Sequence, residues 1–556
     1  MVIGHTATFK GPIYSANTIR RLAQALNFEQ DSRWHTRLGW VLTIYEHLED
    51  GCEEFTLALH LNPDNFRAQM WLAEAFAKQG KLKLAIEASL TALNQCPHDE
   101  SYLQYGIWSN IREWRYELGD EKGAVEATKA SFAAKKTSPY GNLTNFNTLH
   151  NLRQYQLIID MTKTLDEIPC RNYPGMKVPG SLLDVFVRQC CPHFVLGYAA
   201  NAVGHLEYID RIFRRAISNA SHEDDILGER RQRANYGWFI FAFKRDESKA
   251  LEIYKAVVSE YLVSPPAKGF FQRDDCNSRQ LAESLLIQIY LRKAFAGHPD
   301  TSTIWFTELQ NLFQRLKALK MQEAEASVYK KEGSSAMGLW HRLHGRPDLA
   351  KRLLSELVLE GLQILTDADP GNDIEGYVAL GKALLTFGDR RNASVAFAVA
   401  GAPPDSFEKM QQQGREETPI PVNTAEATLT QPSTEPSDPT STTGAARTNP
   451  AGSDVMEQDD LASYLPDECA GKCGRKTKTW ATYYRCEYCY DTGFCDECVK
   501  LVKASKLPFR VCDSSHPFLQ VYPIDLDMAR EGASVDNGLV VPRVEWLDML
   551  RKEWMA

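Results

Sequence analysis

The chain has 556 residues, 44% hydrophobic and 24% charged, with a formal net charge of −9. That length exceeds one hydrophobic core and calls for several domains or one extended array. The acidic balance argues against a chain-wide binder of nucleic acid or of an acidic membrane, leaving only a local basic patch for such a role.

The first thirty residues read as an amino-terminal extension. MVIGHTATFKGPIYS lacks the charged head and continuous apolar core of a signal peptide. Further along, FVLGYAANAVGHLEY is too short, and too interrupted by Gly and His, to span a membrane. The expected compartment is the cytoplasm, with the nucleus as the alternative. Thiols stay reduced in both, so clustered cysteines there point to metal before disulfide.

Residues 31–405 carry an internal repeat. Between Pro63 and Pro97, 34 residues apart, stand Trp71–Leu72, Ala73, Phe76, Gly80, Ala85 and Ala92. Apolar and small residues recur at i, i+3, i+4 and i+7 on both sides of Gly80, which predicts two amphipathic helices joined by a glycine turn. Upstream, Leu38–Gly39, Phe55, Ala58 and Pro63 keep the same offsets. Downstream the sets are Leu196–Gly197, Gly204 and Ala216; Gly338, Gly345 and Ala350; and Leu380–Gly381, Gly388, Ala393 and Phe397. Weaker copies surround Gly119–Ala124 and Tyr236–Tyr254. Segments 140–180 and 265–330 are helical in pattern without the motif, and about seven repeats are expected in all.

The unit resembles the tetratricopeptide repeat (TPR), whose period is 34 residues. The resemblance implies a mainly α fold, a helical-hairpin solenoid whose continuous groove binds peptides or partner proteins. No P-loop, nucleophile elbow, HExxH or dinucleotide fingerprint is found, so no enzyme and no small-molecule substrate are expected. The scattered His35, His60, His205 and His341 read as groove or surface residues. Cys190–Cys191 read as small apolar residues at a helix interface. Some TPR domains clamp a terminal carboxylate, but Thr36 and Trp40 do not supply the basic and amide groups such a clamp needs.

Within residues 406–460, the stretch 416–454 is rich in Pro, Thr, Ser and Glu and contains no aromatic residue. Such a segment cannot bury enough apolar surface to offset chain entropy and is expected to be a disordered tether.

Seven of the thirteen cysteines then fall between Cys469 and Cys512, and His516 follows them. They come in close pairs: Cys469 and Cys473, Cys486 and Cys489, Cys495 and Cys498, Cys512 and His516. Eight such ligands suit two tetrahedral zinc ions, because a short turn presents both members of a pair to one point. The spacing alone allows either sequential or interleaved pairing.

YYRCEYCYDTGFCDEC resembles the core of a ZZ-type zinc finger, over about residues 466–524. The resemblance implies a cross-brace: Cys469, Cys473, Cys495 and Cys498 on one zinc, and Cys486, Cys489, Cys512 and His516 on the other. The chain departs from that family in its CxxxC first pair and in its Cys–His last pair. In ZZ domains an acidic residue beside the knuckle captures a peptide amino terminus; Asp491 stands at that position, while Gly493 and Ala470 replace two further acidic positions. With all ligands supplied by protein, the sites are expected to be structural, and loss of one ligand to unfold the finger alone.

The basic loop Gly474–Trp480 reads as solvated, so nucleic acid is not expected as a partner. In the tail, residues 525–556, Trp546, Leu550 and Trp554 lie on one helical face, suited to packing on the finger or the solenoid. Composition and motifs therefore favour an adaptor for protein or peptide ligands. A cross-brace ubiquitin ligase and a reader of histone tails or amino termini are the alternatives.

Overall fold

A computed structural model describes residues 31–135, 137–170, 180–263, 272–296, 299–318, 323–367, 372–400, 469–471, 473, 482–489, 492–522, 533–534 and 540–555, with Arg21 and Ala25. The 406–460 segment, the Gly474–Trp480 loop and Asp491 lie outside these residues. The chain divides into two compact units: Met1–Ile289 with Pro508–Arg510, and Tyr290–Leu507 with Val511–Ala556.

The fold is mainly α and TPR-like, built from consecutive helical hairpins. In the first unit these are α1 (Ser32–Ile44) with α2 (Leu48–Leu61), α3 (Phe66–Lys78) with α4 (Leu82–Gln95), α5 (Ser101–Glu117) with α6 (Glu121–Ala134), and α7 (Pro139–Asn151) with α8 (Tyr155–Glu167). A two-residue ladder, β1 (Pro169–Cys170) with β2 (Gly180–Ser181), precedes α9 (Leu182–Cys190). Then come α10 (His193–Val203), α11 (Leu206–His222), α12 (Ile226–Phe239), a π-turn over Ile240–Lys244, α13 (Glu247–Val263) and α14 (Gln272–Ala296), which from Tyr290 on belongs to the second unit.

Local chemistry sets the helix starts. Asp31, Asn65, Asp120, Ser138 and Asp225 each accept a hydrogen bond from a first-turn amide, and Ser181 with Asp184 forms a full capping box. The hairpin turns need a left-handed residue, and Gly80, Gly119, Gly204, Gly345 and Gly388 supply it with φ between 69° and 100°. Glu46, Arg153 and Arg245 take the same conformation at other turns.

His35 is buried and bonds Glu54 through Nδ1 at 2.7 Å, and His341 is also buried. Neither is a groove or surface residue, because each lies on the helix face turned into the packing. His60 is exposed, and His205 is half-buried at the start of α11. Cys191 closes α9 in the left-handed conformation, and burial raises the Cys190 thiol to about 12, so it is inert at neutral pH.

In the second unit α15 (Pro299–Ala318) and α16 (Glu323–Leu343) lead to α17 (Pro347–Ile364), α18 (Asp373–Phe387) and α19 (Arg390–Ala400). The small module follows: β3 (Tyr483–Cys486), β4 (Gly493–Cys495), α20 (Asp496–Lys503) and β5 (Phe518–Val521), with sheet order β4-β3-β5. A further ladder, β6 (Ala533–Ser534) with β7 (Val540–Val541), leads into α21 (Arg543–Met555).

One apolar core joins α17, α18 and α19 to Leu519 and Val521 of β5 and to Trp546, Leu547, Leu550 and Trp554 of α21. The helical face read from the tail is thus buried against the last hairpins. Trp546 Nε1 donates to Asn392 Oδ1 at 2.8 Å, and the Trp554 ring meets Phe387 edge-on. Among the described residues, no helix is long and apolar enough to cross a membrane.

Candidate metal centres

Register explains why the four cysteines of β3, β4 and their flanks do not converge on one point. β3 and β4 pair antiparallel, with Tyr483 opposite Cys495 and Arg485 opposite Gly493. Cys486 therefore sits at one end of the ladder and Cys495 at the other, three residues or roughly 10 Å apart along the strands. One tetrahedral ion cannot take both. Each end needs sulfurs from elsewhere, and the flanking segments bring them.

At the first end, Cys469 and Cys473 meet Cys495, the cap residue of α20, and Cys498 in its first turn. At the second, Cys486 and Cys489 meet Cys512 and His516 from the loop before β5. Within each group all donor atoms lie within 4.8 Å of one another. This is the interleaved order of a cross-brace.

The separations suit a shared cation. Cys473 and Cys495 are 3.7 Å apart, Cys489 and Cys512 3.7 Å, and Cys512 and Cys486 3.5 Å. His516 Nδ1 lies 3.5, 3.3 and 3.6 Å from Cys486, Cys489 and Cys512. A tetrahedron with metal–sulfur bonds of ~2.3 Å places its sulfurs ~3.8 Å apart. No pair of cysteines among the described residues is a disulfide.

Backbone amides already point at the sulfurs. Gly471 and Cys495 N–H groups donate to Cys469 Sγ, both at 3.3 Å. Those of Tyr488 and Cys489 donate to Cys486 Sγ, at 3.4 and 3.2 Å. Such donors stabilise thiolate charge and fix ligand orientation. Hydrogen bonds from Cys469, Cys473 and Cys498 hold the Cys495 thiol far below its usual value. At Cys486 burial pushes upward, but bonds from Cys489, Cys512 and His516 outweigh it and the thiol is held low. In each group one thiol is thus held low, while shared hydrogen bonds and burial push up Cys469 and Cys498 in the first and Cys489 and Cys512 in the second.

Two residues that the spacing did not single out complete the module. A Cβ on Gly471 would lie 2.4 Å from Cys498 Sγ, so the extra residue of the CxxxC pair is accommodated only by a bare backbone. Arg485 is buried on the strand between the two centres, with its guanidinium over the Phe397 and Tyr483 rings. The Gly in CAGKC and the inward position of Arg485 in YYRC were the available signals. Tyr483 Oη donates to the Phe397 carbonyl at 2.8 Å, Arg390 pairs with Glu487 at 3.2 Å, and Arg292 with Asp513 at 3.1 Å. The module is therefore fastened to its own unit by polar contacts as well as by the shared core.

Thr36 of the carboxylate-clamp comparison is buried, its hydroxyl donating to Ser32 O and accepting from Asn65 Nδ2. Trp40 is exposed beside Trp71.

No family model matches the chain, and no curated protein does. Solved structures do. YrrB, a TPR protein with an unusual peptide-binding site, is 11% identical with a TM-score of 0.27, over 36% of this chain and 92% of its own. MamA is 9% identical with a TM-score of 0.26, over 35% and 94%. A chain of Naa15/Naa10 bound to HypK-THB is 12% identical with a TM-score of 0.30, over 73% of this chain and 64% of its own.

Proposed function

We propose that this protein is a non-enzymatic adaptor whose helical hairpins and zinc-held finger each engage protein or peptide ligands. The observation that carries the reading is the closure of both metal centres. Each has four protein donors at tetrahedral separations, which suits a structural ion and leaves no position for a substrate or an activated water. Cysteine-rich tetrads with one imidazole favour zinc among the common cations. The hairpin array supplies extended helix faces, a surface suited to peptides.

Crosslinking of the full chain in cell extract, followed by identification of captured segments, tests the binding role. Purified chain carrying two equivalents of zinc tests the rest. Zinc-dependent ubiquitin-chain formation with a conjugating enzyme would overturn the non-enzymatic reading, and absence of bound zinc after purification without chelator would overturn the choice of metal.

A further inference from the structure

The first unit holds a three-residue guest from its own chain. Asn201 and Pro508 are 307 residues apart, yet Asn201 Nδ2 donates to the Pro508 carbonyl at 2.8 Å. The Arg510 N–H donates to the Ala242 carbonyl, also at 2.8 Å. Between these two main-chain bonds Phe509 is buried, 2% exposed. Its ring meets Phe194 edge-on at 5.6 Å, Tyr198 at 5.6 Å and Phe243 at 5.9 Å. The Arg510 guanidinium lies 5.8 Å from the centre of Phe241 and 3.3 Å from Glu247 Oε2.

The host residues are placed by the fold. Phe194, Tyr198 and Asn201 share one face of α10 at i, i+4 and i+7. Phe241, Ala242 and Phe243 stand on the π-turn, which Arg245 ends in the left-handed conformation. π-turns are rare and cluster at functional positions. A Cβ on Gly197 would lie 2.3 Å from Phe243, so α10 admits that ring only through a glycine. Glu247 opens α13 beside it.

Apolar packing alone would need only the rings. Here the rings are flanked by one side-chain donor and one backbone acceptor for the guest main chain, and by a carboxylate and a ring face for a cation. These are the elements of peptide recognition: main-chain bonds for affinity, pockets for side-chain choice.

We propose that this cleft recognises a peptide with an aromatic residue followed by a basic one, of the x-Phe-Arg class. Pro508–Phe509–Arg510 occupies it in cis, and a partner segment of the same chemistry enters by displacing it. The partner in trans rests on the adaptor reading; the cleft's selectivity does not.

The test is a fluorescence-anisotropy titration of the full chain with a labelled peptide, Lys-Leu-Pro-Phe-Arg-Val. The double variant Phe509→Ala, Arg510→Ala is expected to bind it saturably, and the unaltered chain about tenfold or more weakly. Replacing Phe or Arg in the peptide by Ala is expected to weaken binding to the variant by a similar factor. No saturable binding by a double variant with unchanged helical circular dichroism overturns the proposal, as does equal binding of a scrambled peptide. Should the double variant lose helicity, the Glu247→Arg chain decides. It is expected to prefer the peptide with Glu in place of Arg, and lack of that preference overturns the proposal. Failure to capture any cellular partner would instead count against the adaptor reading and leave these titrations standing.

Discussion

The Arg485 guanidinium lies 4.9 Å from the centre of the Phe397 ring, so the residue before the candidate ligand Cys486 leans on α19. The same ring fills the space above Gly381, where a Cβ would approach it at 2.9 Å, and its backbone carbonyl takes the Tyr483 hydroxyl. One phenylalanine thus joins a hairpin crossing to the finger. Phe397→Ala is expected to destabilise the second unit by about 3–5 kcal/mol, the usual cost of emptying a buried aromatic site. Phe397→Leu is expected to recover much of that loss. Denaturant melts followed by tryptophan fluorescence check this, and a loss below ~1 kcal/mol for the alanine variant would contradict the shared role.

Metal removal is expected to reach beyond the finger. The sequence suggested that loss of a ligand unfolds the finger alone, but Leu519 and Val521 belong to the core that contains α17, α18, α19 and α21. Chelation is expected to raise amide exchange in β3, β4 and β5, and also in α19 and α21, while α1 to α6 keep their protection. Exchange confined to residues 469–522 would show that the shared core holds without metal.

Pairing can be read by counting ions. Native mass spectrometry of the full chain is expected to find two zinc ions. Cys469→Ser with Cys495→Ser is expected to retain one ion, because both ligands serve the same centre. Cys486→Ser with Cys495→Ser is expected to retain none. Loss of both ions from both variants would mean sequential pairing.

Acid is expected to weaken the first unit through His193. Burial lowers this imidazole to about 4, against the backbone bond from its ring to Cys191 O, which works the other way. Its folded value lies below its unfolded value near 6.5, so between the two the unfolded chain holds more protons. Stability is therefore complete above pH ~6.5, falls as the pH drops, and levels off below ~4, for a loss of at most ~3 kcal/mol. His341 is lowered by burial and then by Arg346 and His344, and adds a loss of the same sign in the second unit. His193→Gln is expected to flatten the profile of the first unit in melts taken from pH 7 to pH 4. An unchanged slope would assign the acid sensitivity elsewhere.

The turns were legible where glycine makes them. Gly80, Gly119, Gly204, Gly345 and Gly388, all read as turn or repeat positions, are the left-handed glycines of the hairpins. The hairpin of α7 and α8 escaped notice because Arg153 holds its turn, and the copy around Tyr236–Tyr254 read weakly because Arg245 does the same behind a π-turn. Gly197 was placed in a hairpin with Ala216, but the side chain that closes on it is Phe243. Sequence offsets name the small residue at a crossing and leave open which helix crosses there. The interleaving of the cysteine pairs came from a family resemblance, because spacing alone does not state the β3–β4 register that separates Cys486 from Cys495. Phe509 carried no signal: a single aromatic between Pro and Arg acquires meaning only from a pocket assembled three hundred residues earlier.

The core shared by α19, β5 and α21 also bears on how such a protein lengthens or shortens over evolutionary time. Helical arrays grow by duplication, and each new hairpin stacks on the exposed side of the last. After Ala400 that side is already taken by Leu519, Val521, Trp546 and Leu550. A duplicated hairpin inserted there would have to evict a strand of the three-stranded sheet and a tryptophan-bearing helix together. Duplications and deletions are therefore expected to survive upstream of α17 and to be purged behind α19, so that the array's terminal hairpins stay fixed while its earlier ones vary in number.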